Sequence, residues 1–319
     1  MPRREAHAGV YNPGCIFITK SAMRLVIQGL SIQNTHQDRL AELCTAFRQD
    51  IGFVTVTAQA CYLPLKADEV DDKTRSEIDI YCISHQLDWA LVPDHHLLQN
   101  FGLLVMDMDS TLINIECIDE IADMHGLKPQ VARITESAMR GEIEFAQSLK
   151  MRVALLEGLE ESALLRVYEE RLRLNPGAEQ LVSACKQHGI KTMLVSGGFD
   201  FFADRAKALA GLDYAHANRL EILNGKLTGK ILGDVLDAQS KADWLVRLRD
   251  ELGLRPDQTI AVGDGANDLK MMAVAGISVA YHAKPVVQSQ ASYALNHAGL
   301  DGVAALLNAQ TSLQNFQPL

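Results

Sequence analysis

The stretch Leu103-Leu104-Val105-Met106-Asp107-Met108-Asp109-Ser110-Thr111 is the point from which the rest of the chain can be read. Four apolar residues run straight into two carboxylates spaced i, i+2. A short apolar run of long and branched side chains predicts a strand buried on both faces of a parallel sheet. Ligands in such sheets bind beyond the carboxyl ends of the strands, which is where Asp107 and Asp109 fall. Alternate residues of a straight strand share a face. Here the chain is leaving the strand, so the second carboxylate can be carried beside the first. Two close carboxylates repel unless a cation lies between them or one holds a proton. The pair therefore reads either as a hard-metal site or as a nucleophile with an acid/base partner.

Downstream, strands and helices alternate. Ala178 to His188 reads as a helix ending at Gly189, and Lys191 to Val195 as a second buried strand that stops at Ser196-Gly197-Gly198. A helix over 202–209 follows, then a hairpin in which Asn224-Gly225 joins 220–223 to 226–229, since Asn-Gly suits a type I′ turn. A helix over 238–252 leads to a third buried strand, Thr259-Ile260-Ala261-Val262, which ends in Gly263-Asp264-Gly265-Ala266-Asn267-Asp268; a helix over 271–275 and a strand over 277–280 come next. This alternation predicts an α/β fold with a doubly wound parallel sheet. The block 111–173 is almost wholly helical in pattern, broken at Gly126 and at Arg140-Gly141-Glu142. Inserted over the carboxyl end of a sheet, it would act as a cap or lid.

Upstream, 23–30 and 89–92 look like strands, 38–48 and 73–86 like helices, and 53–65 like one alternating strand; 1–22 show no period. Strand, helix, strand, helix, strand predicts a small N-terminal α+β domain of ferredoxin-like type, residues 1–96. Pro93-Asp94-His95-His96 then reads as a polar linker into the larger α/β domain, 97–319, whose cap is expected at about 114–174. Adjacent histidines point apart on most backbones, so no metal role is assigned to His95 and His96. His282 and Lys284 read as loop structure.

Composition narrows the partners. The 319 residues are 48% hydrophobic and 22% charged, with a formal net charge of −10. That charge argues against nucleic acid or an anionic membrane surface as the partner. Six cysteines without a CxxC pair suit reduced thiols. No apolar run is long enough to span a membrane, and the start lacks a signal peptide's apolar core; the cytoplasm is the expected location.

Three strand ends can converge along one edge of the sheet. Asp264 could complete a magnesium site with Asp107, because magnesium prefers oxygen ligands. The glycines after Ser196 leave N–H groups free to meet an anion, and Lys241 offers phosphate a compact positive charge. Together these pieces resemble the haloacid dehalogenase superfamily of phosphohydrolases. Asp107-Met108-Asp109-Ser110-Thr111 matches its first motif, Ser196 its second, Lys241 its third and Gly263 to Asp268 its fourth, over about residues 101–300. In the helical block, Glu116, Met139-Arg140-Gly141-Glu142 and 145–153 look like the cap of the phosphoserine phosphatase family.

The resemblance implies hydrolysis of O-phospho-L-serine to L-serine and phosphate, the last step of serine biosynthesis. It implies that Asp107 is the nucleophile, Asp109 the acid and base, and that Mg2+ is held by Asp107, Asp264 and the Asp109 backbone, with Asp268 anchoring its water. It further implies that Ser196, Gly197, Lys241 and Asn267 hold the phosphoryl oxygens. Glu116 and Arg152 would grip the amino and carboxylate groups, and Met139 and Phe145 would pack around the side chain. Charge logic agrees: a zwitterion needs one fixed anion and one fixed cation, and arginine's fork suits a carboxylate. Competing readings are a related phosphatase for another small ester, a phosphotransferase, and a non-enzymatic phospho-receiver. The N-terminal domain resembles regulatory ACT-type modules, with serine sensing or homodimer formation as its expected role.

Overall fold

The structure, a computed structural model, describes residues 23–48, 53–57, 59–66 and 70–307. The sequence's periodless 1–22 lies outside the described residues. The first six elements are β1 (Met23–Gly29), α1 (Asn34–Leu43), β2 (Val54–Thr57), β3 (Ala60–Pro64), α2 (Asp72–Ser84) and β4 (Leu87–Pro93). They form an antiparallel sheet in the order β2-β3-β1-β4. The single strand expected over 53–65 is a hairpin, with Thr57 paired to Ala60. Both arms of a hairpin alternate, so their joint pattern imitates one strand. The extra strand completes a ferredoxin-like βαββαβ order. On one face Leu25, Ile27, Cys61 and Leu63 pack with Leu40, Cys44, Ile78 and Cys82 from the helices. Asp71 accepts the Thr74 N–H at 2.7 Å and so caps α2.

The second sheet begins with β5 (Leu103–Met106), and all four of its residues are buried. Alternation sends Leu104 and Met106 into one core and Leu103 and Val105 into another, the pattern of a strand covered on both faces. Four cap helices follow: α3 (Cys117–Met124), α4 (Lys128–Met139), α5 (Phe145–Ala154) and α6 (Ser162–Glu170). Gly126, at φ +70°, ends α3, and Pro129 lies in the first turn of α4. The remaining elements are α7 (Ala178–Gln187), β6 (Lys191–Phe199), α8 (Asp200–Ala210), β7 (Tyr214–Leu223), β8 (Lys226–Leu232), α9 (Ala238–Glu251), β9 (Thr259–Gly263), α10 (Leu269–Val274), β10 (Ile277–Tyr281), α11 (Pro285–Gln288), β11 (Tyr293–Leu295) and α12 (Asp301–Leu307). The sheet order is β11-β10-β9-β5-β6-β7-β8, parallel except for β8. The Asn224-Gly225 turn is present, with φ of +52° and +75°.

Three details depart from expectation. β6 does not stop at Ser196: it runs to Phe199 with a register break between Val195 and Phe199, so the glycines form a bulge within the strand. β7 starts at Tyr214, six residues before the hairpin pattern, and β11 and α12 were not anticipated. The 93–96 stretch is no free linker. Arg24, 1% exposed, donates to the carbonyls of Pro93, His96 and Leu306 at 3.1, 2.8 and 3.0 Å. Asp88 accepts the N–H groups of Asn296, His297 and Ala298 at 2.7, 2.9 and 2.8 Å. Val26, Tyr62, Ala90 and Val92 from the small sheet pack into the same core as Phe101, Tyr293 and Leu306. Among the described residues no helix is long and apolar enough to cross a membrane. Cys44, Cys61, Cys82, Cys117 and Cys185 are buried free thiols.

Candidate active site

Register brings the three strand ends together. Met106 pairs with Leu194 on one side and Val262 on the other, so the residues that follow, Asp107, the Ser196 bulge and Asp264, share one edge. At Asp107 the backbone leaves the strand. Its carboxylate accepts the Met108 N–H at 2.7 Å, and Ser110 then takes φ +56°. The Asn175 side-chain amide braces this turn by donating to the carbonyls of Thr111 and Ile113 at 2.8 and 3.1 Å.

Beneath the turn lies a dense charge cluster. Lys241, in the first turn of α9 and 1% exposed, places Nζ 2.6 Å from Asp107 Oδ2 and 2.7 Å from Asp268 Oδ1. Asn267 donates to Asp107 Oδ2 at 3.3 Å, and Thr111 Oγ1 donates to Asp264 Oδ1 at 2.9 Å. The carboxylates of Asp107, Asp264 and Asp268 offer oxygens within 4.8 Å of one another; Asp109 is not of this trio. Three hard oxygen donors suit a divalent cation such as magnesium or calcium better than a soft metal. Burial opposes the Lys241 charge, but Asp107 and Asp268 outweigh it and raise its pKa. Burial, then Asp107, pushes Asp268 up to about 7 against the pull of Lys241, and the same two causes raise Asp264. Three close carboxylates sharing one buried lysine fit a cation site.

Asp109 occupies different surroundings. Its Oδ1 accepts the Cys117 N–H at the start of α3, at 3.3 Å. A Cβ on Gly198 would lie 2.7 Å from Asp109 Oδ2, so only glycine lets the carboxylate approach the bulge. Burial first, then Glu116 and Asp107, raise the Asp109 pKa well above the usual carboxylate range.

Above these groups, cap and sheet enclose a cavity of about 340 Å³. Asp107, Asp109, Glu116, Met139, Phe145, Arg152, Ser196, Gly197, Asp264 and Asn267 all line it. Of the residues expected at the site, Lys241 and Asp268 alone lie under the floor, not on the wall. The Phe145 ring sits over Gly197, where a Cβ would meet it at 3.0 Å. Ser196 Oγ accepts the Gly198 N–H at 2.9 Å, so one of the glycine N–H groups expected to be free is engaged. Glu116 accepts from Ser110 Oγ at 2.7 Å; burial pushes it up to about 7, with Asp264 and Asp107 adding to the rise and Ser110 opposing it. Arg152 is in the last turn of α5; burial lowers its pKa, opposed by the charges of Asp119, Glu116 and Asp109. Thr135, Ala138, Ser148 and Leu149 also line the wall. The sequence reading missed them, though Ser148 stands at i+3 from Phe145 and i−4 from Arg152, a helical spacing that could have revealed it.

The family model for haloacid dehalogenase-like hydrolases matches residues 104–273. A phosphoserine phosphatase from a Polaromonas species is 54% identical over 66% of this chain and 91% of its own length. One from Haemophilus influenzae is 44% identical over 89% of this chain and 88% of its own. Among solved structures, the unliganded crystal structure of a probable phosphoserine phosphatase from Vibrio cholerae is 39% identical, covering 90% of this chain and 86% of that one at a TM-score of 0.78. The likeness to the Haemophilus and Vibrio proteins takes in both sheets. With the four strand-end motifs and the capped cavity, it shows that the chain belongs to the haloacid dehalogenase-like hydrolases, within the phosphoserine phosphatase family.

Proposed function

We propose that the chain hydrolyses O-phospho-L-serine to L-serine and phosphate through an aspartyl-phosphate, as the last step of serine biosynthesis. The observation that carries this reading is the cavity itself. Its wall bears one carboxylate, Glu116, and one guanidinium, Arg152, over a floor holding Asp107 and Asp109. A phosphorylated amino acid presents the matching ammonium, carboxylate and phosphate.

Asp107 would attack phosphorus as the bond to the serine oxygen breaks. Asp109, whose pKa is raised by burial and then by Glu116 and Asp107, would give a proton to the leaving oxygen and later take one from the attacking water. Water then splits the Asp107 acyl-phosphate, releasing phosphate, freeing the Asp107 carboxylate and returning the proton to Asp109. Ser196, the Gly197 N–H, Asn267 and Lys241 are assigned to the phosphoryl oxygens. Mg2+ would be held by Asp107, Asp264 and the Asp109 backbone carbonyl, with Asp268 alongside, and would supply neutralising charge at the phosphoryl group. A bound ammonium would favour ionised Glu116. Met139 and Phe145 close the wall around a short side chain.

We assign residues 1–96 to an N-terminal ACT-like domain that senses serine or forms a homodimer, and 97–319 to the phosphatase domain with its cap at about 114–174. The expected location is the cytoplasm. Steady-state phosphate release from a panel of small esters tests the function. Phosphoserine should lead the panel, and Asp107→Asn should abolish both turnover and the acid-stable phosphoprotein. Substantial hydrolysis by that variant would remove Asp107 as nucleophile, and preference for another ester would replace the substrate.

A further inference from the structure

Among the described residues, two buried polar atoms of the cavity lining have no hydrogen-bond partner: the Ser148 hydroxyl and Arg152 Nε. Ser148 is only 1% exposed. Buried polar groups are nearly always bonded, because leaving one unpaired forfeits its solvation with nothing in return. The two side chains stand at i, i+4 on α5 and therefore lie one above the other on the same helix face. Even so, neither of these atoms satisfies the other.

The guanidinium Nε–H can only donate, whereas a hydroxyl can donate or accept. A group able to engage the Nε–H must offer an acceptor, and one that also accepts the hydroxyl's proton must offer lone pairs in two directions. A carboxylate does so with its two oxygens, and it also neutralises the arginine. An ammonium fails on both counts, and the cavity has Glu116 for that role. Phe145, three residues before Ser148, lies over Gly197, so the face carrying both donors is anchored above the reacting floor.

We propose that the Ser148 hydroxyl and the Arg152 Nε–H form one carboxylate-binding pair, in which Ser148 is a substrate-binding residue that selects phosphate esters bearing a carboxylate. The inference rests on the amino-acid-ester reading above and adds a residue which that reading does not use.

The test compares full-length protein with its Ser148→Ala variant on three esters. These are O-phosphoserine, O-phosphoethanolamine, which lacks the carboxylate, and the phosphate ester of 3-hydroxypropionate, which lacks the ammonium. In the variant, kcat/KM for the two carboxylated esters should fall about 10-fold further than for phosphoethanolamine, chiefly through KM. Without ligand, the variant's Tm should equal or exceed that of the parent, because the hydroxyl removed there had no partner. Equal losses on all three esters would overturn the proposal. So would an unchanged preference among them, or a lower ligand-free Tm accompanied by that unchanged preference. If the parent protein shows no advantage for carboxylated esters, the amino-acid-ester reading fails and takes the proposal with it; loss of the proposal alone leaves that advantage intact.

Discussion

Lys241→Met should destabilise the protein before any substrate is considered. The ammonium lies 2.6 Å from Asp107 and 2.7 Å from Asp268, and the three side chains are 1%, 6% and 0% exposed. At an effective dielectric constant of about 20, each contact supplies roughly 6 kcal/mol of attraction. The cost of desolvating three charges offsets much of that sum. Methionine fills the same volume but removes the attraction and leaves the two carboxylates desolvated. Breaking a buried pair in this way costs about 3–5 kcal/mol, on the order of 10 °C in Tm. The defect should be smaller at pH 6 than at pH 8. Burial and Asp107 already push Asp268 up to about 7, and without the lysine it would take a proton more readily. Thermal melts in EDTA at both pH values would measure this. Adding Asp268→Asn to Lys241→Met should recover at least half of the loss, since it removes the second charge. A single variant within 1 kcal/mol of the parent, or a double variant no better than the single, would refute the view that Lys241 neutralises this floor.

Arg152→Ala should cut kcat/KM for phosphoserine by about 2–5 kcal/mol, or roughly 30-fold and upward, and affect an aryl phosphate far less; equal losses would mean it does not clamp a carboxylate. Chelation should stop phosphate release, Mg2+ should restore it, and at 100 times its Kd the ion should add about 2.7 kcal/mol of stability to an otherwise metal-free sample. His96, whose Nδ1 lies 2.9 Å from the Tyr293 hydroxyl, is held down to about 4 by burial, with His95 and Arg24 adding to the effect. The unfolded chain therefore binds more protons between pH 4 and 6.5. Its contribution is complete above about 6.5 and is lost as pH falls toward 4, worth about 1–2 kcal/mol after allowing for partial exposure; urea melts of His96→Asn should show a flatter profile over that window. Asp88→Ala orphans three N–H groups across the two sheets and should cost about 2–4 kcal/mol. The only two tryptophans, Trp89 and Trp244, lie on opposite sides of that junction; single-tryptophan versions should melt together in the parent and apart in the variant.

The strand-end chemistry was legible because buried parallel strands announce themselves by composition. Leu103–Met106 and 260–262 are apolar without interruption, and their carboxyl ends carry acids and glycines. The first half of β7 was not legible, since Tyr214-Ala215-His216-Ala217-Asn218 has neither an apolar run nor clean alternation. It is a strand because β6 pairs with it, and His216 stacks on Trp244 at 3.5 Å. The fused sheets were hidden for a related reason. Arg24 and Asp88 look like surface charges in sequence, and only tertiary contacts turn them into buried ties. Lys241 was found as a compact cation matching the family's third motif, yet its placement between Asp107 and Asp268 comes only from the tertiary fold.

The two acids of the opening stretch end in opposite environments because of the turn between them. Had the strand simply continued, residues 107 and 109 would share a face and a neighbourhood, and nothing would distinguish their chemistry. Instead the chain leaves the sheet at Asp107, and Ser110 adopts φ +56°, with Asn175 bracing the carbonyls beyond it. Asp107 is left facing Lys241 and Asn267, whereas Asp109 is turned toward the start of α3 and the Gly198 bulge. Ser110 also donates to Glu116, so the same turn reaches the cap residue assigned to the ammonium. A nucleophile needs a lone pair oriented by cations, and a general acid needs a proton retained by burial and like charge. The turn that leaves the strand at Asp107 and carries Ser110 just beyond Asp109 would supply both conditions, so the two positions are not interchangeable even though their side chains are identical.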